Sequence, residues 1–417
     1  MPINDSKINN FIYLDNAAST PIDKEVIDEM LPYMTCNYGN PSSLHKLGRY
    51  SRQGILNSRF KVSKLIGCNI SEVHFTSGGT ESNNLALTGC ANVIKKTKQR
   101  CNQIIVSEIE HDSILETVSN IGKEMEFNVD YVPVNKDGLV NEEIFKELIS
   151  SETALISIML VNNEIGTIQP IKKLSEIAKN KNKKVVFHTD AIQALGKVPL
   201  NVKDLGIDML SISSHKINGP KGAGALYVKM GVNLEPIIFG GGQENRLRSG
   251  TENVQSIAGF GKACEVATTK LEANKNRIKE IQGYAIKRIT NEIPFSKLNG
   301  SKKQRVPNNI NFSFQGINGE DLLIKLDENE IALSTGSACT SNKKQKASHV
   351  LKALGLSHQE VTGSIRLSLG HQNTIEELDT TITKLKETIS ELRSLNEFEF
   401  ESKQNTKTTI QRQNERF

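Results

Sequence analysis

SISSHKINGPKGAGALYV, residues 211–228, puts a lysine where lysines are seldom found. DMLSIS (208–213) is an apolar run of strand type, and Lys216 follows it beside His215 and two serines. A glycine-rich turn then leads into a second such run, GALYVK (224–229). A lysine is almost never fully buried without a partner. At the end of a buried strand its amine is desolvated, which makes Lys216 a candidate Schiff-base lysine. Taken alone, it reads equally well as a surface lysine at a turn.

Outward from this stretch, short β-rich runs alternate with helical periods from about residue 70 to 230. VHFT (73–76) precedes GGTESNNLAL, and QIIVS (103–107) precedes HDSILETVSNI. ALISIMLV (154–161) precedes PIKKLSEIAKN, and KVVFHTD (184–190) leads through AIQALGKV to the lysine strand. Runs that are apolar nearly throughout are expected where helices cover both faces of a sheet. The alternation predicts an α/β fold with a mostly parallel sheet, whose ligands bind at the carboxyl ends of strands. Past residue 262 come a long helical stretch (261–290), strand-like NNINFSF (308–314), helical GEDLLIKL (319–326), strand-like SIRLSL (364–369) and a closing helix at 374–395. They predict a second, smaller α+β domain. We expect a large domain over 16–262, a small one formed by 1–15 with 263–396, and a mobile tail at 397–417.

Composition limits the function classes. The 417 residues are 37% hydrophobic and 24% charged, as in a globular protein with a sizeable core. The net charge of +5 is a small difference between 52 basic and 47 acidic residues, and no basic block is interleaved with aromatics. That predicts no direct nucleic-acid partner. Six cysteines without CxxC or CxxH spacing argue against a disulfide framework and a zinc site, so no metal is expected. No apolar run approaches the ~20 residues of a membrane helix, and residues 1–11 lack a signal-type apolar core. We expect a cytoplasmic protein.

Two further stretches place chemistry at strand ends. In SGGTES (77–82), Gly79 and Thr80 open a helix whose free N–H groups could cradle a phosphate, although an ordinary N-cap explains the same letters. In HTDAIQ (188–193), Asp190 ends an apolar strand as a helix cap or as a buried counter-ion for a protonated ring nitrogen, with Gln193 close by. A lysine for an aldehyde, an acid for a pyridinium nitrogen and a phosphate cradle are what pyridoxal phosphate requires.

These stretches, with YLDNAASTP (13–21), GNPSSLHKLGR (39–49), EIEHDSIL (108–115), VNNEIGTIQPI (161–171), GGGQENRLRSGTENV (240–254), STGSACTS (334–341) and SIRLSLG (364–370), resemble cysteine desulfurases of the NifS/IscS type. Those are pyridoxal-phosphate enzymes of fold type I in the class V aminotransferase family. The resemblance covers about residues 11 to 395. It implies a large domain with a mostly parallel seven-stranded sheet and a smaller C-terminal α+β domain. Lys216 would hold the cofactor, His111 would stack on its ring and assist proton transfer, and Asp190 would pair with the ring nitrogen. Gln193 and Asn163 would contact the phenolic side and the substrate. Gly79, Thr80, Ser213 and His215 would bind the phosphate, and Thr251 would reach the phosphate of a neighbouring subunit, which implies a homodimer. Arg366 would take the α-carboxylate of L-cysteine and Asn40 would assist it.

The resemblance also gives Cys339 its task. It would take sulfur from L-cysteine as a persulfide, release alanine, and pass the sulfur to an acceptor protein, an iron–sulfur cluster scaffold, a tRNA-thiolation carrier or several. A thiol among small residues can reach both a buried substrate and an external acceptor. Lys343, Lys344 and Lys346 nearby favour the thiolate. Cys68, Cys90 and Cys264 read as packing residues. The rival readings are a selenocysteine lyase, another class V aminotransferase with no use for Cys339, and a non-catalytic sulfur-assembly adaptor with no use for Lys216.

Overall fold

The computed structural model describes residues 11–97, 101–335 and 347–395. It opens with β1 (Ile12–Tyr13), α1 (Lys24–Thr35) and α2 (Lys46–Ile66). Then β2 (Val73–Thr76) leads to α3 (Gly79–Lys96), β3 (Gln103–Ser107) to α4 (Asp112–Met125), and β4 (Asn128–Val132) to α5 (Glu142–Leu148). Next, β5 (Thr153–Ser157) leads to α6 (Ile171–Lys181) and β6 (Val186–Asp190) to the short α7 (Val202–Leu205), before β7 (Met209–Ser213) and β8 (Gly224–Val228). The rest comprises α8 (Val254–Glu292), β9 (Ser296–Leu298), β10 (Asn309–Phe314), α9 (Gly319–Asp327), β11 (Ile331–Ala332), β12 (Ser334–Thr335), α10 (His349–Ala353), α11 (His358–Thr362), β13 (Ser364–Ser368) and α12 (Ile375–Leu395).

Seven strands form the main sheet in the order β2-β8-β7-β6-β5-β3-β4, in which only β8 runs against the rest. Strands β2, β5, β7 and β8 are buried along their whole length, as the uninterrupted apolar runs require. Strand β5 ends at Ser157, short of the predicted Val161. The apolar Ile158–Val161 remain buried beyond the strand's end, and the Ile158 and Leu160 N–H groups still donate to the β6 carbonyls of His188 and Asp190. The chain thus turns at the carboxyl end of β6, where the site lies.

A second, antiparallel sheet has the order β12-β13-β10-β9, and β1 pairs parallel with β11 beside it. Leu14 from the beginning of the chain shares its core with Phe312, Phe314, Ile365 and Leu385. Helix α8 starts at Val254, before the predicted residue 261, because Asn253 caps it by accepting from the Ser256 N–H. Its first turns pack in the core under the large sheet, and Ile281, Ala285 and Ile289 pack in the core of the small one. Among the described residues no helix is long and apolar enough to cross a membrane, and no cluster of His, Cys, Asp and Glu could hold a metal. The predicted tail at 397–417 lies outside the described residues.

Candidate active site

Lys216 sits one short turn beyond β7 and reaches back to the N-terminal segment. Its Nζ donates to the carbonyls of Ala17 at 2.6 Å and Ala18 at 2.8 Å. Asp190, at the end of the adjacent β6, is buried. Its Oδ1 accepts from the Ile192 N–H at 2.9 Å and its Oδ2 from Asn83 Nδ2 at 2.8 Å. No helix follows β6 before Val202, so Asp190 caps no helix as one sequence reading expected but closes a local turn. Burial pushes its carboxyl above the usual range, while those two hydrogen bonds and the charges of His111 and Lys216 pull it down. A carboxylate held in this way gains from a cationic ring nitrogen.

Helix α3 begins at Gly79 without a side-chain cap, so its first N–H groups are open to an anion. A Cβ on Gly79 would displace the Ile192 side chain and would stand 3.8 Å from the Cβ of Ser213, so glycine keeps the helix start close to both. Ser213 is buried and its Oγ has no hydrogen-bond partner among the described residues, as is true of Ser214 and Thr189. A helix N-terminus left uncapped beside an unpartnered buried hydroxyl fits a phosphate group. His215 contacts Ser19 Oγ at 3.3 Å. Burial, helped by the charges of Lys216, Lys221 and Lys197, pushes its imidazole down to about 4, so near neutral pH it serves as an uncharged hydrogen-bonding group.

His111 caps α4, its Nδ1 accepting from the Ser113 N–H at 3.1 Å, and Ser113 Oγ accepts from Asn83, the residue that also holds Asp190. Gln193 is committed at both ends, its Nε2 to the Ala17 carbonyl and its Oε1 to Lys197. Arg366 is 3% exposed on β13, whose residues are buried along its whole length. It pairs with Asp15 at 2.8 Å and donates to the Asn163 carbonyl at 3.0 Å, while its Nε is buried without a partner among the described residues. Three successive carbonyls of the loop after β5 accept from residues of the second sheet region: Asn163 from Arg366, Glu164 from Asn309 and Asn311, and Ile165 from Arg305.

Thr80, Asn40 and Thr251 are exposed, and this network does not include them. Asn40 closes a local turn by accepting from the Ser42 N–H. Cys339 and Lys343, Lys344 and Lys346 lie outside the described residues. The sequence reading missed Asn83, Glu110, Glu164 and Lys197. Asn83 was the most accessible of them, because it stands four residues after Gly79 on the same face of α3.

A lysine at the end of a buried strand, an acid on the neighbouring strand and an anion-ready helix make this a fold-type I enzyme site that accommodates pyridoxal phosphate. Residues 12–381 match the aminotransferase class-V family, and the chain belongs to it. It is 45% identical over 392 residues to the cysteine desulfurase IscS of Methanosarcina thermophila, covering 94% of this chain and 95% of the relative. It is 44% identical over 388 residues to the probable mitochondrial cysteine desulfurase of Dictyostelium discoideum, covering 92% and 84%. Among solved structures, a NifS-like protein superimposes with a TM-score of 0.85 at 37% identity, covering 91% of this chain and 99% of the other.

Proposed function

We infer that the protein is a cysteine desulfurase, removing sulfur from L-cysteine to leave L-alanine and a persulfide on Cys339. One observation carries the reading: Lys216 follows β7 and its charge acts on Asp190, buried at the end of the adjacent β6, in a chain closely similar to IscS along almost its whole length. Pyridoxal phosphate, when bound, supplies an electron-withdrawing ring that stabilises negative charge at the substrate's α-carbon. Lys216 would hold the cofactor, Asp190 would pair with its ring nitrogen, and Gly79, Thr80, Ser213 and His215 would hold its phosphate. Gln193 and Asn163 would contact its phenolic side and the substrate.

Lys216 and His111 move protons at the substrate. Arg366, aided by Asn40, orients the α-carboxylate through its two-pronged guanidinium. The Cys339 thiolate attacks the substrate sulfur. An S–S bond forms, the C–S bond breaks with its electron pair going to carbon, and a proton on carbon completes alanine.

Support for a homodimer comes from apolar side chains that a monomer would leave in water. Leu44 is 84% and Phe239 82% exposed, and Ile27, Leu31 and Met34 project from one face of α1. In that dimer Thr251 reaches the partner's phosphate site. Of the described residues, we assign those within 16–262 to the large domain and those within 1–15 and 263–396 to the small one. The sulfur goes to an iron–sulfur scaffold or another acceptor protein, and the protein works in the cytoplasm.

The test is mass spectrometry of Cys339 after incubation with L-cysteine. An added sulfur atom there, with alanine released and both lost in Cys339→Ala, is the expected result. Unchanged sulfide output from Cys339→Ala would overturn the mechanism.

A further inference from the structure

Lys197 has no part in the roles assigned above. It follows Gly196 in the turn after β6 and borders a cavity of about 90 Å³ that Asn16, Lys216, Asn308 and His371 also line. Its Nζ donates to Gln193 Oε1 at 3.1 Å. The other end of that amide, Nε2, donates to the Ala17 carbonyl at 2.9 Å. The same carbonyl accepts from Lys216 Nζ at 2.6 Å. One chain of hydrogen bonds therefore runs from Lys197 through Gln193 and Ala17 to Lys216.

Each link constrains the next. A primary amide has two orientations, which exchange its oxygen and its NH₂ group. With a donor on the Lys197 side and an acceptor on the Ala17 side, only one orientation satisfies both. The other sets NH₂ against the amine and oxygen against a carbonyl. Gln193 is buried, so this mismatch leaves polar atoms unsatisfied at full cost. Burial, with Lys216 and Arg366 nearby, pushes the Lys197 amine down to about 7. It carries N–H hydrogens in either protonation state, so it remains a donor across the neutral range.

We propose that Lys197 is a positioning residue of the active site: by fixing Gln193 in one orientation it keeps the Ala17 carbonyl aimed at the Lys216 amine, and so sets where that amine meets the cofactor aldehyde. The proposal rests on the reading of Lys216 as the cofactor lysine.

The experiment titrates pyridoxal phosphate into cofactor-free wild type, Lys197→Met, Lys197→Gln, Gln193→Leu and the Lys197→Met/Gln193→Leu pair. Binding is read from visible absorption, and the thermal midpoint of each cofactor-free protein is measured alongside. Lys197→Met should weaken binding roughly tenfold, the size of one hydrogen bond to a buried polar group. Its midpoint should stay within about 2 °C of wild type. Lys197→Gln, which keeps a donor, should recover most of the affinity. The pair should bind no more weakly than Gln193→Leu alone, because the two residues act in series. Wild-type affinity in Lys197→Met, losses that multiply in the pair, or midpoints that fall in step with affinity would each overturn the proposal. Wild-type protein that takes up no cofactor on lysine would overturn the reading of Lys216 itself, a different result from uptake that Lys197→Met leaves unchanged.

Discussion

The hydroxyl of Ser348 donates to Oε2 of the buried Glu164 at 2.5 Å. One residue further on, the His349 ring meets the Glu110 carbonyl at 2.9 Å. Glu164 adjoins Asn163 and Glu110 adjoins His111, so the start of α10 is pinned to the immediate neighbours of two proposed site residues. Ser348 also caps that helix by accepting from the Leu351 N–H.

Ser348→Ala removes the cap and leaves a buried carboxyl without its donor. The expected cost is about 1–3 kcal/mol of stability, read from urea unfolding. Cofactor affinity should stay at the wild-type level, because Ser348 touches none of the groups that hold it.

Glu110 is fully buried, and burial pushes its carboxyl up to about 8; Glu164 is pushed up to about 7 for the same reason. Both values lie above the ordinary 4.5, so the folded chain binds more protons than the unfolded one. Their stabilising contribution is complete below pH 4.5 and is lost as pH rises towards 7 and 8. Glu110→Gln, which can still accept from Ser107 and Met159, should flatten this slope and be more stable than wild type at pH 8. The wild-type slope should approach about 1.4 kcal/mol per pH unit for each group, measured by chemical unfolding from pH 5 to 8.

His188 gives the opposite slope. It is buried between Ser157 and Ser211, and burial pushes its imidazole down to about 3. Its contribution is present above the ordinary 6.5 and is lost as pH falls through about 3. Below pH 6.5, His188→Gln should lose stability more slowly than wild type on acidification, by about 1 kcal/mol per unit in the same assay.

Arg366→Lys replaces a planar fork with a point charge and gives up the simultaneous bonds to Asp15 and Asn163. KM for L-cysteine should rise roughly 10- to 100-fold, more than kcat falls. The visible spectrum of the bound cofactor should not change. A spectrum that shifts along with KM would place Arg366 at the cofactor instead of the substrate carboxylate.

Thiol labelling separates the cysteines. Cys90 and Cys264 are buried, and burial pushes both thiols up, Cys90 to about 12. Cys68 is raised to about 12 for the same first reason. Cys36 is exposed. Iodoacetamide at pH 7.5 should modify Cys36 within minutes and spare Cys68, Cys90 and Cys264 until the protein unfolds, as peptide mass mapping would reveal.

The large sheet was legible because its central strands are apolar from end to end. Its edge strand β4 was not read. Asn128 and Tyr131 face solvent there, so NVDYV carries no continuous apolar run. ALISIMLV overstated β5 because burial runs on to Val161 while regular strand structure ends at Ser157, with only the Ile158 and Leu160 N–H groups still bonded to β6. The sequence placed Lys216 and Asp190 at strand ends, since position along the chain determines that much. It could not show Lys197 or Glu164 turning inward, because GKV and NNEIG look like loops at the surface. Ser348, the partner of Glu164, is brought in by tertiary packing from a distant part of the chain, whereas Gln193 is a near neighbour of Lys197 along the turn after β6.

Helix α8, at about 1.5 Å per residue, is a rod on the order of 58 Å long whose two ends are built into different cores. A slack linker would let the small sheet drift; a continuous helix transmits torque. Any tilt of β13 therefore has to flex or swing that shaft, and the spacing between Arg366 and Lys216 is kept by its stiffness as well as by the bonds to the Asn163, Glu164 and Ile165 carbonyls.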